Sequence, residues 1–477
     1  MRKLASLAAI TAAAAAVLMI VLLLVRPFVG VADNGDFLRV MGTVGLNYGD
    51  PSASYDDQFF KYAHAQFSYD SFFRGAYVST QIILVLAARV IGAVFHPSAF
   101  DVRILGAFYI VLMTAAIYCL VRYGSKLSRW TGIAVALCAF VMLCDIGYLA
   151  YFNSFFGEPV SYVFMLLTIG LGLLLTRQER PSRKLLVLFF LSTLFLACSK
   201  IQNAPIGGAF AIIGLRFAGL GRDIRWRKLA YGWSAALFLI AVIMYVAAPK
   251  DLKHINLYQT VFFGVMNGSP DVEGDLEELG LPPRLSVLAG TNYFQTDTAI
   301  KQNDPSLKPD FYDRISHKDI LLFYLKHPGR LIDKMEYAAE NGMTIRPYYL
   351  GNYEKEAGKP PGAVTSVYSV WSEFKLHQLP NKLWFIALVY LLYYAAAAYE
   401  YLRRPQVRSR RAVELFMLIG LVGIFSFLIP ILGDGQADMA KHLFLFNVCF
   451  DMMIVTAIAY AAFYAEKLVR GRRASYN

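Results

Sequence analysis

Long apolar runs alternate with short polar stretches along most of the chain. Runs near the roughly 20 residues that a bilayer requires fall at 4–26, 102–121, 131–150, 158–176, 185–199, 204–218, 229–248, 383–402, 412–431 and 442–464. The runs 185–199 and 204–218 are short, so tilt or a break is expected there. The first run follows Met1-Arg2-Lys3 in the manner of a signal peptide. Its length, and the want of a convincing cleavage site after it, make it a first transmembrane helix with a cytoplasmic N-terminus.

A further apolar segment, Ala76–Phe95, decides the orientation of everything after it. If it crosses, the basic loops Arg122–Arg129, Arg177–Lys184, Arg216–Lys228, Arg403–Arg411 and Lys467–Arg473 all fall outside; if it does not, all fall inside. Short basic loops favour the cytoplasm. Ala76–Phe95 is therefore placed as an in-plane or re-entrant helix on the outer face, with a full span as the alternative. The pattern predicts an all-α polytopic membrane protein of about ten transmembrane helices, or eleven with that segment. Three parts follow: 1–248, an N-terminal transmembrane catalytic module with a first outer loop at 32–101; 249–382, a mostly helical extracytoplasmic loop domain; and 383–477, the C-terminal transmembrane helices.

Composition agrees: 57% of the 477 residues are hydrophobic and 17% charged, far less polar than a soluble domain. The formal net charge of +12 resides in short loops, so a bilayer and no nucleic-acid partner is expected. The five cysteines lie in apolar runs, which predicts neither a structural disulfide nor a zinc site.

With this orientation the unusual polar motifs share the outer face. Ala32-Asp33-Asn34-Gly35-Asp36-Phe37 follows the first span directly. An Asp there is either a helix cap or, beside a second carboxylate, a base with a shifted pKa; Asp36 is slightly favoured as the base. Tyr151–Pro159 carries Asn153 and Glu158, an acid at a membrane edge that must be solvated or paired. In Ser199-Lys200-Ile201-Gln202-Asn203, Lys200 either snorkels to headgroups or meets a lipid phosphate. Gly433–His442 gathers Asp434, Asp438, Lys441 and His442; it is a poor calcium loop because no bidentate Glu follows, and Lys441 and His442 are candidate phosphate ligands. The loop residues His327, Arg346 and Asn352 read first as turn and fold residues. No Walker A, G-x-S-x-G, H-E-x-x-H or haem pattern occurs.

An acid after the first span, an outer juxtamembrane helix, a second acid in the next outer loop and a late outer domain together resemble the GT-C superfamily of polytopic glycosyltransferases. Asp33-Asn34-Gly35-Asp36-Phe37, Tyr151–Pro159 and Lys200-Ile201-Gln202-Asn203 are similar to motifs of the WsfD-like glycan biosynthesis hexose transferases. That resemblance implies an enzyme of the bacterial plasma membrane, multi-pass, with both termini cytoplasmic and its active site extracytoplasmic. It would move a hexose from a polyprenyl-phosphate sugar to a surface-glycan or lipid-linked acceptor, with inversion. Asp36 or Asp33 would be the general base, with Glu158 also catalytic. Lys200, Lys441, His442, Arg74 and Arg346 would meet the donor phosphate, and Asn34, Asn153, Gln202, Asn203, Asp434 and Asp438 the substrates. No cofactor is implied, and a divalent metal stays open. The superfamily often pairs its first-loop acids directly; here Asn34-Gly35 separates them. A transporter or flippase for lipid-linked glycans is the main alternative, and a noncatalytic subunit presenting the long loop is a third.

Overall fold

The computed structural model describes residues 2–50, 52–75, 77–247 and 249–475; Met1, Ala76, Ala248 and Asn477, which bound segments named above, lie outside the described residues. Among the described residues, eight helices are long and apolar enough to cross a membrane: Leu7–Leu24, Arg103–Leu127, Glu158–Thr176, Ile201–Leu220, Ile224–Val246, Leu383–Arg403, Val407–Asp434 and Phe444–Arg470. A bent pair, Arg129–Leu143 and Ile146–Asn153, raises the number to nine.

The chain is an all-α polytopic membrane protein, and two expected spans differ in detail. The expected run 131–150 is broken by 59°. Residues Ala139–Leu143 form a π-helical turn, a common site of helix kinking. Asp145 at the break takes Gly147 N–H at 2.8 Å with one oxygen, and Trp371 and Ser372 N–H at 2.9 and 3.0 Å with the other. One carboxylate thus caps the second half of the broken span and the start of the Val370–Gln378 helix, where helix dipoles favour negative charge.

The expected run 185–199 is the helix Arg183–Ala197, 15 residues long. At about 22 Å it falls short of a hydrocarbon layer of about 30 Å. Its C-terminal end nevertheless returns to the start of Glu158–Thr176: Ser199 and Ser161 hydroxyls lie 2.9 Å apart, and Lys200 Nζ reaches Glu158 Oε1 at 2.7 Å. The short helix therefore runs back along its longer neighbour.

Hydrogen bonds sort the loops onto two ends of the bundle. At one end Arg177 donates to Lys126 O (3.3 Å), Arg216 pairs with Glu414 (2.8 Å), Arg183 pairs with Asp223, and Trp130 N donates to Glu466 (2.8 Å). All the expected cytoplasmic loops thus meet at this basic end. The first span finishes at the other end, where Leu23 O accepts from Asn153, and the last begins there beside His442. Both terminal helices consequently point their outer ends to the basic end.

The Gln81–Phe95 helix lies along the opposite end. Thr80, just before it, donates through its hydroxyl to Phe195 O (2.7 Å), and His96 O, just after it, accepts from Tyr69 (3.2 Å). Both of its ends are held by elements of that one end. It packs over a three-stranded antiparallel sheet where only polar loop was expected: β1 (Leu46–Tyr48), β2 (Gln66–Tyr69) and β3 (Phe100–Asp101), in that order. Strands this short carry no readable alternation.

The segment 249–382 contributes to two cores. Residues from Leu257 to Tyr324 form their own cluster around Phe262, Phe311 and Phe323. Ala338, Ala339, Met343, Ile345 and Leu350 instead join the bundle core. The bundle side is fastened by a fully buried ion pair, Lys375 Nζ to Asp451 Oδ1 at 2.6 Å, with Tyr148 and Trp371 donating to the other oxygen at 2.5 and 2.8 Å.

Breaking a buried pair leaves an uncompensated charge, which costs about 3–5 kcal/mol, whereas replacing both partners is often neutral. Lys375→Met and Asp451→Asn are each expected to lower the thermal midpoint in detergent strongly, and the double variant to recover most of the loss. Additive losses in the double variant would show that the pair does not act as a unit.

Candidate functional site

Gly35, at φ +103°, turns the chain so that its two flanking aspartates part company. Such a backbone conformation is costly for any residue with a Cβ. Asp33 points into the protein and is completely buried. Its Oδ1 accepts from Gly35 N (2.8 Å) and Phe37 N (3.0 Å), and Tyr48 donates to its Oδ2. Asp33 is the residue whose carboxylate caps the Phe37–Val44 helix. Asp36 holds the formal cap position but makes no capping bond, and its side chain, 35% exposed, borders a cavity. Behind it Phe37 packs edge-on against Phe155 and Phe156, with centroids at 5.4 and 4.7 Å, joining the first acidic motif to the second.

The cavity holds about 1230 Å³ and lies between the polar end of the bundle and the loop segment. Of the residues expected from sequence, Asn34, Asp36, Glu158, Lys200, Gln202, Asp434, Asp438 and His442 line it. Lys441 stands immediately behind, 1% exposed, pairing with Asp36 and reaching Asn34 Oδ1 at 3.2 Å. Its ammonium also sits 4.4 Å from the Phe156 ring centroid, a favourable placement for a desolvated cation. Arg39 Nη1 approaches the other Asp36 oxygen at 3.0 Å. Asn34 Nδ2 and Tyr349 donate to Asp438 at 2.7 and 3.1 Å, holding that residue at φ +43°. His442 Nε2 meets Asp434 Oδ2 at 2.7 Å.

Glu158 is 2% exposed, so the sequence expectation that it must be paired holds: Lys200 is its partner. Gly157 permits that approach, since a Cβ there would come within 2.8 Å of Lys200 Cγ.

Other sequence candidates serve elsewhere. Asn153 donates to Leu23 O (2.9 Å) and Val29 O (2.8 Å), closing the end of the first span. Asn203 donates to Ser161 and Ser199 hydroxyls, both at 2.9 Å, inside the bundle. Arg74 is exposed and pairs with Asp70 at 2.7 Å. Arg346 is engaged by Thr365 O and by Glu373 at 2.9 Å. None of these four lines the cavity, because each is already spent on a fold contact.

Arg39, Tyr77, Gln81, Gln259 and His317 line the cavity and were not singled out from sequence. Arg39 had a signal, its spacing three residues after Asp36 on a helix. Gln259 and His317 had none, since they reach the site through the loop fold.

Burial acts upward on both aspartates, and the neighbouring cations of Asp36 set them apart in chemistry. Burial pushes the Asp33 carboxyl up to about 6, against the Tyr48, Phe37 and Gly35 hydrogen bonds, which pull it down. Burial also acts upward on Asp36, but the charges of Lys441 and Arg39 outweigh it and hold that carboxyl below the usual range. Lys441 answers in kind: burial lowers it, yet Asp36, Glu158 and Asp438 hold its ammonium above its ordinary value.

A folded-state value raised to about 6 for Asp33 favours its protonated form. The associated stability is present at acid pH, below the ordinary carboxyl value, and fades as pH rises through about 6. The thermal midpoint in detergent should therefore carry a falling component between about pH 4 and 6 that Asp33→Asn removes. Asn keeps an acceptor for the cap, so that variant should stay folded, whereas Asp33→Ala should lose about 1 kcal/mol or more. An unchanged pH profile in Asp33→Asn would contradict this assignment.

A family model described as the YfdI N-terminal transmembrane domain matches residues 1–476. The uncharacterized protein YfdI of Escherichia coli (strain K12) is 20% identical over 372 residues, covering 76% of this chain and 76% of its own length. No solved structure matches the chain. The chain therefore belongs to the YfdI N-terminal transmembrane domain family, a family of membrane proteins.

Proposed function

We propose that this chain is a GT-C-type membrane glycosyltransferase that moves a hexose from a polyprenyl-phosphate sugar to a surface-glycan or lipid-linked acceptor. The observation that carries this reading is the junction of one cavity-facing carboxylate, Asp36, with Lys441, Arg39, Lys200 and Glu158 at the polar end of a transmembrane bundle. Apolar residues Ile201, Pro205, Tyr245, Ile429 and Pro430 line the same cavity and suit a lipid tail. No cofactor is required by this scheme.

In the transfer step, Asp36 takes the proton of an acceptor hydroxyl. The hydroxyl oxygen bonds to the anomeric carbon as the bond from that carbon to the phosphate oxygen breaks. The polyprenyl phosphate leaves with the electron pair, and the anomeric configuration inverts. In its ion-paired state Asp36 is a weak base. A donor phosphate attracted to Lys200 and Arg39 draws cation charge away from the carboxylate and restores its basicity, while the same cations stabilise the leaving phosphate. Asp33 supports the site by capping the helix on which Arg39 stands.

The cavity end is proposed to face outward and the basic end the cytoplasm, in keeping with the preference of arginine and lysine loops. With the Arg183–Ala197 helix as a tenth crossing, both termini are cytoplasmic. Reporter fusions after residues 75 and 125 test this: residue 75 should report outside and residue 125 inside. An outside signal at residue 125 overturns the orientation.

The activity is tested in proteoliposomes with a labelled polyprenyl-phosphate hexose and a membrane-extracted acceptor pool. General-base assistance is worth about 10²–10⁴-fold, so Asp36→Asn should lower transfer by at least that lower bound, and Asp33→Asn far less. Full activity in Asp36→Asn removes it as base. Label that changes face without entering a new covalent product establishes a flippase instead.

A further inference from the structure

The cavity has two chemically different walls. One wall is ionic, with Asp36, Glu158, Asp434 and Asp438 among Arg39, Lys200 and His442. The second wall comes from the loop segment together with Tyr55, and it presents no carboxylate among the described lining residues. Its polar groups are the amides of Asn256, Gln259, Asn292 and Gln295, the hydroxyls of Tyr312 and Ser316 and the imidazoles of His254 and His317. Its single ammonium, Lys253, is turned to the Val246 carbonyl at 3.1 Å.

Two further features point to a ligand on that wall. Gln259 is 3% exposed, yet its Oε1 has no hydrogen-bond partner. A buried acceptor left unmade costs about 1–3 kcal/mol, so it marks a position where a donor from elsewhere gains. The aromatic rings of Phe294 and Tyr55, 64% and 66% exposed, also border the cavity. Large rings standing free beside clustered amides offer a flat apolar face next to hydrogen-bonding groups, as a sugar ring with its C–H face and hydroxyl rim demands. Volume agrees: about 1230 Å³ exceeds the roughly 300–1,000 Å³ that holds one drug-sized ligand, leaving room beyond a phosphosugar at the ionic wall.

We propose that the wall formed by Gln259, Asn292, Gln295, Phe294 and Tyr55 is a binding subsite for an uncharged carbohydrate, and that it holds the acceptor glycan. Calling the bound sugar the acceptor rests on the transfer reading above; the binding itself does not. The amides hydrogen-bond hydroxyls and the rings cover the apolar face of one hexose unit. The five subsite residues carry no charge themselves, so the subsite favours a neutral hexose over uronic acids and other anionic sugars.

Saturation-transfer NMR on the full chain in nanodiscs tests this with methyl hexosides, a neutral hexose disaccharide and a methyl hexuronide as probes. The neutral probes should receive saturation and the uronide less. Phe294→Ala, at an exposed ring that folding does not need, and the double change Asn292→Ala with Gln295→Ala should each weaken the neutral signal about tenfold. Asp36→Asn should leave that signal in place, which separates the subsite from the fate of the transfer reading. No saturation of neutral probes by the wild type overturns the proposal, as does a stronger uronide signal. A neutral signal unchanged in both wall variants overturns it equally.

Discussion

An ammonium shut away from water cannot stand alone, and Lys441 is such an ammonium. It lies against the Phe156 ring and is paired with Asp36. Desolvation of a charge is tolerable only when a counter-charge and hydrogen bonds replace the lost water. Asp36, Asn34 and the aromatic ring supply these from the chain's first outer loop and from the segment before the Glu158–Thr176 helix. The pair therefore locks the beginning, the middle and the end of the sequence at one point. Everything else at the polar end is arranged around it: Asp33 caps the helix that begins at Phe37, Phe37 packs on Phe155 and Phe156, and Asp438 is held by Asn34 and Tyr349.

The same rule operates deeper in the bundle with a different purpose. Lys375 and Asp451 are fully buried and satisfied by Tyr148 and Trp371, and Asp145 caps two helix starts at the break in a span. These groups do not line the cavity beside Asp36. They fasten the Val370–Gln378 helix to the bundle, which places one part of the long loop rigidly and leaves the part centred on Phe262 and Phe311 to form its own core above the cavity. Buried charge thus does two jobs, one holding the fold and one poised at a space large enough for ligands. The difference lies in what each carboxylate meets beyond its ion pair. For Asp451 both oxygens are taken by protein groups, whereas Glu158 keeps an oxygen without a partner and Asp36 borders open volume.

The sequence by itself determined the class of protein, because a bilayer demands long apolar runs and no folding detail can remove them. Arginine and lysine counts grouped the loops, and hydrogen bonds such as Arg177 to Lys126 and Arg216 to Glu414 bring those loops to one end. The motifs around Asp36, Glu158, Lys200 and Lys441 were legible too, since a charged residue at a membrane edge requires a partner. Which partner each one has was decided only in three dimensions. Asp33 and Asp36 differ by a single turn at Gly35, and nothing in their spacing tells which side chain faces inward. Asn153 and Asn203 look like ligands in one dimension and prove to be spent on carbonyls and hydroxyls of neighbouring helices. The short strands, the broken span at Asp145 and the amide wall around Gln259 depend on contacts between residues far apart in the chain, and contacts of that kind leave no periodicity for the sequence to display.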